Sequence, residues 1–411
     1  MLAIGAIVTG CGGGSGSRAR TDAHSCGSSH WLTIYSDLPL AGSDRFDMTS
    51  MYNGEWLALH QAGKHVGPCR VQLESYSDAA ASSGSWDPGL TEQVARRASS
   101  DPSAIAYIGD FDSGATATSL QITDASDTLQ ISPWSPYVGF TGAGPADDEG
   151  DPARYQSSGH NTFARLVPSD YTQAQATIDF MAREGATRLF VLGDVSDPFD
   201  ADIAQLIANG APAGGVTVVG YNATINLETN TQPQGYAPYA LQARAARADA
   251  VVLGGRPGPG ALALFAEMHA MLPHAKLFAP STLATPWFLS RLGDAAASTY
   301  VTSPILGWWQ YPASARRMKR DYHRRFGIWP TKYALYGYEA VEDVLAAIQH
   351  ADYQTGPAAL LRAFFEHLGR RRGVIGDYTI YPDGNISLSR FDGYRVGAGG
   401  KLVYVMPVPV G

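Results

Sequence analysis

Short apolar runs of extended character alternate with stretches whose apolar residues recur at helical spacing over most of the chain. Trp31–Tyr35 (WLTIY) reads as a strand, and a Pro/Gly-bearing loop from Asp37 to Ser43 leads into a helix with Tyr52, Trp56 and Leu59 on one face. Then come a strand at Val71–Tyr76, a helix at Thr91–Ala98 and a strand at Ile105–Ile108. A helix at Leu120–Ser126 and a short strand at Leu129–Ile131 complete this first unit. Strands alternating with helices predict a parallel sheet covered on both faces.

Residues 139–160 are rich in Gly, Pro, Asp and Ser, lack periodicity, and are expected to form a long surface loop. The alternation then restarts. Extended runs at Leu189–Leu192, Val216–Gly220, Ala250–Leu253, Leu277–Ala279 and Tyr300–Thr302 are interleaved with helical patterns at Tyr171–Ala182, Ile203–Asn209, Tyr239–Arg247 and Ala261–Met271. Three helical patterns follow, over 313–326, 334–351 and 358–368. Tyr378–Tyr381, a Pro-Asp-Gly turn at 382–384 and the alternating Ile386–Phe391 read as a hairpin, joined by a last strand at Lys401–Met406. Two successive α/β units predict two Rossmann-like lobes with a ligand cleft at the carboxyl ends of their strands.

Composition narrows the function. Charged residues make up 17% of the chain and the net charge is -8, a balance that disfavours a nucleic-acid partner. The basic run Arg370, Arg371, Arg372 is expected as a solvated helix end. Residues 2–10 are apolar or small and end at Cys11; the run is too short to span a bilayer, which takes about 20 residues. Val8-Thr9-Gly10-Cys11 resembles the end of a bacterial lipoprotein signal peptide, with Cys11 as the lipid-bearing residue and 12–29 as a flexible tether. A ragged soluble N-terminus is the alternative. Cys26 and Cys69 are then the remaining cysteines and are expected to form one disulfide, with two independent thiols as the alternative.

Catalytic signatures are missing. The sequence has no Gly-x-Gly-x-x-Gly turn after an early strand, no phosphate-binding Gly-x-x-x-x-Gly-Lys-Ser/Thr loop and no Gly-x-Ser-x-Gly elbow. Its ten histidines form no close ligand set, so neither a metal nor a cofactor is expected. Polar loops directly after strands are present instead. Asp112, Ser113 and Gly114 lie in the loop Asp110–Gly114, which follows the strand at 105–108 and precedes a helix beginning near Ala115, whose N-terminal donors suit a carboxylate or other anion; a plain helix cap is the alternative. Ser132, Trp134 and Ser135 follow the strand at 129–131, where an indole beside hydroxyls suits a small-molecule pocket or simple packing between loops. Gly255 and Arg256 follow the strand at 250–253 and face the cleft or form a turn.

Seven stretches, in order, carry a resemblance. They are Leu38-Pro-Leu-Ala-Gly42, Asn53-Gly-Glu-Trp-Leu-Ala-Leu59, Ile108-Gly-Asp-Phe-Asp-Ser-Gly114, Gln130-Ile-Ser-Pro133, Phe163-Ala-Arg-Leu-Val-Pro-Ser-Asp170, Ala250-Val-Val-Leu-Gly-Gly255 and Leu335-Tyr-Gly-Tyr-Glu-Ala340. Over residues 31–391 the chain resembles the type I periplasmic binding proteins, in particular the leucine/isoleucine/valine-binding branch of ABC transporter receptors. The resemblance implies two Rossmann-like lobes joined by three crossovers. It sets lobe one at 31–163 plus 292–376 and lobe two at 164–291 plus 377–411, after an N-terminal signal remnant and tether at 1–30. The family's ligand-binding serine carries over to Ser113, and Phe199 stands where the second lobe often presents a tyrosine. Trp134 and Pro136 replace the small residues and threonine typical of amino-acid binders.

The implied role is an extracytoplasmic, membrane-anchored solute receptor that binds a small polar amino-acid-like or carboxylate-bearing metabolite by lobe closure and delivers it to a permease and its ATPase. A ligand sensor on the same scaffold is the alternative, and an α/β enzyme a remote one. Expressed with its natural upstream region in its own host, the protein is expected to carry lipid at Cys11. Mass spectrometry of the N-terminal peptide checks this, and an unmodified Cys11 in a cytoplasmic fraction rejects it.

Overall fold

The computed structural model describes residues 26, 31–42, 44–79, 86–142, 150–228 and 235–410; Cys11 and the expected tether lie outside them. Six strands form the first sheet: β1 (Trp31–Asp37), β2 (His65–Val66), β3 (Cys69–Tyr76), β4 (Ala104–Ile108), β5 (Leu129–Ser132) and β6 (Phe163–Arg165), in the order β2-β3-β1-β4-β5-β6. All its pairings are parallel except the short β2–β3 edge. Helices α1 (Arg45–Gln61), α2 (Pro88–Ser100) and α3 (Ser113–Asp124) connect its strands. The chain then passes through α4 (Asp170–Arg183) into the second sheet.

That sheet contains β7 (Arg188–Asp194), β8 (Thr217–Ile225), β9 (Ala250–Gly254), β10 (Lys276–Ala279) and β11 (Thr299–Ser303), with α5 (Pro198–Gly210), α6 (Ala237–Ala245), α7 (Pro259–Met271) and the short α8 (Pro286–Leu289) between them. The chain returns to the first core with α9 (Ala313–Phe326), α10 (Tyr333–His350) and α11 (Pro357–Arg362), then forms a small ribbon of β12 (Arg370–Arg372) and β13 (Asp377–Thr379). It crosses a last time to β14 (Arg390–Val396) and β15 (Leu402–Pro409), giving the second sheet the order β15-β14-β11-β10-β9-β7-β8. This is a bilobed α/β fold of the periplasmic-binding-protein type I kind, with three passages between lobes. No helix among the described residues is long and apolar enough to cross a membrane.

Several expectations need correcting. The second sheet runs past residue 291, because β11 pairs with β10 on one side and β14 on the other. Tyr378, Ile380 and Ile386 lie in the first core, beyond the expected last crossing at 377. The hairpin around the Pro-Asp-Gly turn is reduced to one Ile380–Ile386 bridge. Its two arms find other partners: β13 pairs back to β12, and β14 pairs across to β11 and β15. Arg370–Arg372 is therefore a strand rather than a helix end, and the Arg371 Nε donates to the buried Asp343 at 2.7 Å.

In the first lobe, α1 and α10 pack at close range through two glycines. A Cβ on Gly54 would stand 2.1 Å from the Ala334 carbonyl oxygen, and one on Gly337 2.3 Å from that of Met51. Any side chain there forces the helices apart. The Cys26–Cys69 disulfide forms as expected, fastening the chain before β1 to the wholly buried start of β3.

The buried side of α1 combines apolar residues with one wholly buried acid. Met48, Met51 and Ala58 are wholly buried, and so is Glu55, neither of whose oxygens has a hydrogen-bond partner. Burial pushes the Glu55 carboxyl up to about 8, and the Ser36 hydroxyl beside it offsets only part of this. Because the folded value lies above the unfolded one, its contribution to stability is complete below pH about 4.5 and is lost as pH rises through about 8. Glu55→Gln should remove this slope, gaining on the order of a few kcal/mol over wild type at alkaline pH and little in acid. Urea unfolding of both proteins at acid and alkaline pH checks it; equal slopes would refute it.

Candidate functional site

The carboxyl ends of β4 and β5 are tied together by two serines. The Ser132 hydroxyl donates to the Asp110 carbonyl at 2.7 Å and accepts the backbone N–H groups of Trp134 and Ser135 at 3.1 and 2.7 Å. The Ser135 hydroxyl also donates to the Asp110 carbonyl at 3.1 Å and lies 2.5 Å from the Thr116 hydroxyl. Both serines are wholly buried. Their hydroxyls thus brace the loop that carries the helix start.

On that braced loop, Phe111, Asp112 and Ser113 lead into α3. Asp112 is the residue before the helix, yet its side chain makes no capping hydrogen bond, and Oδ2 is buried without a partner. Ser113, the first helical residue, is buried. Gly114 is packed against the Trp86 ring, which a Cβ would meet at 2.4 Å. Trp134 is only 4% exposed. It stacks on Phe111 at 5.8 Å between ring centres and meets Tyr333 and Tyr336 edge-on at 5.1 and 5.6 Å. The indole is a wall element held by three rings, with Phe111 its partly buried neighbour.

The second lobe faces this loop with the segments after β7 and β9. Gly255 lies so close to Asp194 that an added Cβ would stand 2.8 Å from that side chain. The Arg256 guanidinium pairs with Asp197 at 3.3 Å. Burial pushes the Asp112 carboxyl up to about 7; Arg256 opposes this, while Asp44 and Asp197 add to it. Asp112 therefore senses charges from both lobes. Phe199, at the start of α5, packs edge-on against Tyr137 at 5.1 Å and stacks on Phe140 at 6.5 Å, closing an aromatic cluster that spans the lobes.

Of the residues singled out from sequence, Asp112 and Arg256 come within range of each other's charge, Ser113 follows Asp112 as the first residue of α3, and Trp134 packs on the neighbouring Phe111. Ser132 and Ser135 spend their hydroxyls on the loop, and Phe199 sits among first-lobe aromatics. Sequence reading missed Asp44, Asp197, Phe111 and Tyr333. Asp197 had a signal, since it follows β7 and precedes Pro198 at a helix start; Asp44 and Tyr333 are distant in sequence and had none.

A family profile described as "Periplasmic binding protein" matches residues 39–400. A search of curated protein sequences finds no match. Among solved structures, the chain is similar to an ABC transporter substrate-binding protein from Desulfitobacterium hafniense in complex with leucine, at 19% identity and a TM-score of 0.71, covering 92% of this chain and 100% of that one. A leucine binding protein from Thermotoga maritima aligns at 16% identity and a TM-score of 0.75, covering 92% and 99%. A solute binding protein of an ABC transporter from Rhodopseudomonas palustris, in complex with 3,4-dihydroxybenzoic acid, aligns at 16% identity and a TM-score of 0.69, covering 92% and 97%.

The brace gives a direct expectation. Ser132→Ala leaves two backbone donors and one carbonyl with fewer partners in a dry site, and should cost about 1–3 kcal/mol of stability. Chemical denaturation measures this, and an unchanged midpoint would show the hydroxyl to be dispensable.

Proposed function

Because the chain belongs to the periplasmic binding protein family, we propose that it is the extracytoplasmic solute-binding component of an ABC uptake transporter, on the leucine/isoleucine/valine-binding branch. Its two sheets, with the segments packed on them, act as lobes that close over the ligand. Membership of this family makes it a binding protein rather than an enzyme. A permease and an ATPase are its partners, and a lipid on Cys11 its attachment to the membrane.

The ligand is a small amino-acid-like metabolite carrying a carboxylate. The observation that carries this reading is the meeting of charges from both lobes: Asp112, just before α3, is acted on by Arg256 and Asp197 of the other lobe, which pair with each other. Arg256 and the α3 N-terminus suit a carboxylate. Asp112, with a buried oxygen lacking a donor, suits an ammonium group. Phe111 and Trp134 supply apolar area for the remainder. The similar structures with leucine and with a hydroxylated benzoate are in keeping with a carboxylate as the common element.

Thermal-shift screening of amino acids, amides, aromatic acids and sugars, followed by calorimetry, identifies the ligand. Arg256→Ala should weaken a carboxylate ligand by about 10- to 100-fold, and Ser113→Ala by a comparable or smaller factor, with the fold intact. Tight binding of an uncharged sugar, indifferent to both substitutions, would overturn the ligand class and leave the family assignment standing.

A further inference from the structure

Beneath the ligand loop, three carboxyl groups meet at the ends of adjacent strands. Asp37 ends β1, Asp78 lies two residues beyond β3, and Asp110 two beyond β4. These strands are neighbours in the order β3-β1-β4, so their carboxyl ends bring the three acids side by side. One oxygen from each lies within 4.8 Å of the others, and all three residues are wholly buried. Oxygens bound to one calcium-sized ion at about 2.3–2.6 Å can stand no more than roughly 5 Å apart, so the spacing leaves room for a shared ion.

The hydrogen-bond accounting points the same way. The Tyr107 hydroxyl lies 3.0 Å from Asp37 Oδ2 and 2.8 Å from Asp110 Oδ1, and has one proton for both. The Ser119 hydroxyl donates to Asp110 Oδ2. Asp37 Oδ1 has no partner. Asp78 is a separate observation: both of its oxygens are buried without a hydrogen-bond partner in good geometry, its own backbone N–H being the one donor that acts on it, and one of them lies among the oxygens of the other two acids. Among the described residues, no Lys, Arg or His is paired with any of the three; their charged neighbours are one another and Asp112. Buried carboxylates without a counter-charge are strongly disfavoured, and a cation among them supplies both the charge and the missing coordination.

We propose that Asp37, Asp78 and Asp110 bind one hard divalent cation, calcium in the first instance. The donors are all oxygen, as such an ion requires, and three protein carboxylates suit calcium better than magnesium, which usually keeps several of its waters. The ion joins the ends of three strands directly behind the loop that carries Asp112 and Ser113, and so stiffens the first-lobe side of the cleft. It is separate from the ligand and does not depend on what that ligand is.

The test uses the whole protein stripped with a chelator. Titration with calcium, with magnesium and with no metal is followed by calorimetry and thermal unfolding, and terbium serves as a luminescent substitute excited through nearby tyrosine. Calcium should bind with one site per chain and raise the unfolding temperature, and it should displace terbium. Asp78→Asn keeps the side-chain volume and should weaken calcium binding by about tenfold or more. No calcium binding to the stripped wild-type protein overturns the proposal. So does calcium affinity unchanged in a folded Asp78→Asn protein, which would put the ion elsewhere. If Asp78→Asn does not fold, the wild-type titration and Asp37→Asn decide. A variant more stable than wild type in a protein indifferent to calcium would mean that the acids are held protonated.

Discussion

One buried guanidinium organises the place where the chain passes between its lobes. Arg165, at the end of β6, is wholly buried and donates to the Tyr137 carbonyl at 2.7 Å and the Thr141 hydroxyl at 2.9 Å. Its backbone N–H donates to the Gly384 carbonyl at 3.0 Å. Three segments far apart in sequence are thereby fastened at one point: the loop after β5, the first crossing and the turn before the last crossing. Burial lowers the Arg165 pKa to about 10 despite the opposing pull of Asp170 and Asp383. A buried cation is tolerated only where its surroundings are fixed, so the charge specifies the arrangement more than it stabilises it. Gly384 has to be glycine for the same junction, with φ at +88° and a would-be Cβ 2.1 Å from the Phe163 carbonyl oxygen.

The consequences reach the cleft by contact. Tyr137 and Phe140, beside the segment that Arg165 secures, receive Phe199 from the second lobe. Apolar cores lie on either side of this junction, one around β1–β5 with α1 and α10, and two on the faces of the second sheet. Those cores supply the folding free energy, since burial of apolar surface is its main favourable source. The strand ends between them concentrate buried polar groups with unmet hydrogen bonds, among them Asp37, Asp78 and Asp112. Such groups weaken a fold, and their position at the carboxyl ends of parallel strands marks where it has been given over to binding.

The lobes were legible in the sequence because alternation of strand and helix is a local signal. Each run from Trp31 to Ile131 and from Leu189 to Thr302 announced its own type, and right-handed crossover connections fix most of the rest. The terminal region was less legible for a physical reason. The alternating residues from Tyr378 to Phe391 specify extended chain but not a partner, and the turn between them suggested the nearest one. Competition from β12, β11 and β15 decided the pairing instead. The site shows the same division. Ser113, Arg256 and Ser132 were all candidates because each follows or ends a strand, but nothing local foretold that the Ser132 hydroxyl is spent on the Asp110 carbonyl.

The charges at the cleft constrain what can close it. A helix N-terminus favours an anion, and an aspartate placed before it ordinarily turns its carboxylate back onto the first-turn N–H groups. Asp112 does not, and so its carboxyl group, with its pKa raised by burial, stays beside the very dipole that would attract a ligand carboxylate. A simple anion approaching α3 would raise the cost of ionising Asp112 further, as Asp44 and Asp197 already do against the pull of Arg256. A cation without an anionic group would leave the helix dipole unused. On the proposed reading, a zwitterion would answer both demands at once, its carboxylate toward Arg256 and the helix start and its ammonium toward Asp112. The charges that act on Asp112 thus come from both lobes, Asp44 from the first and Arg256 and Asp197 from the second.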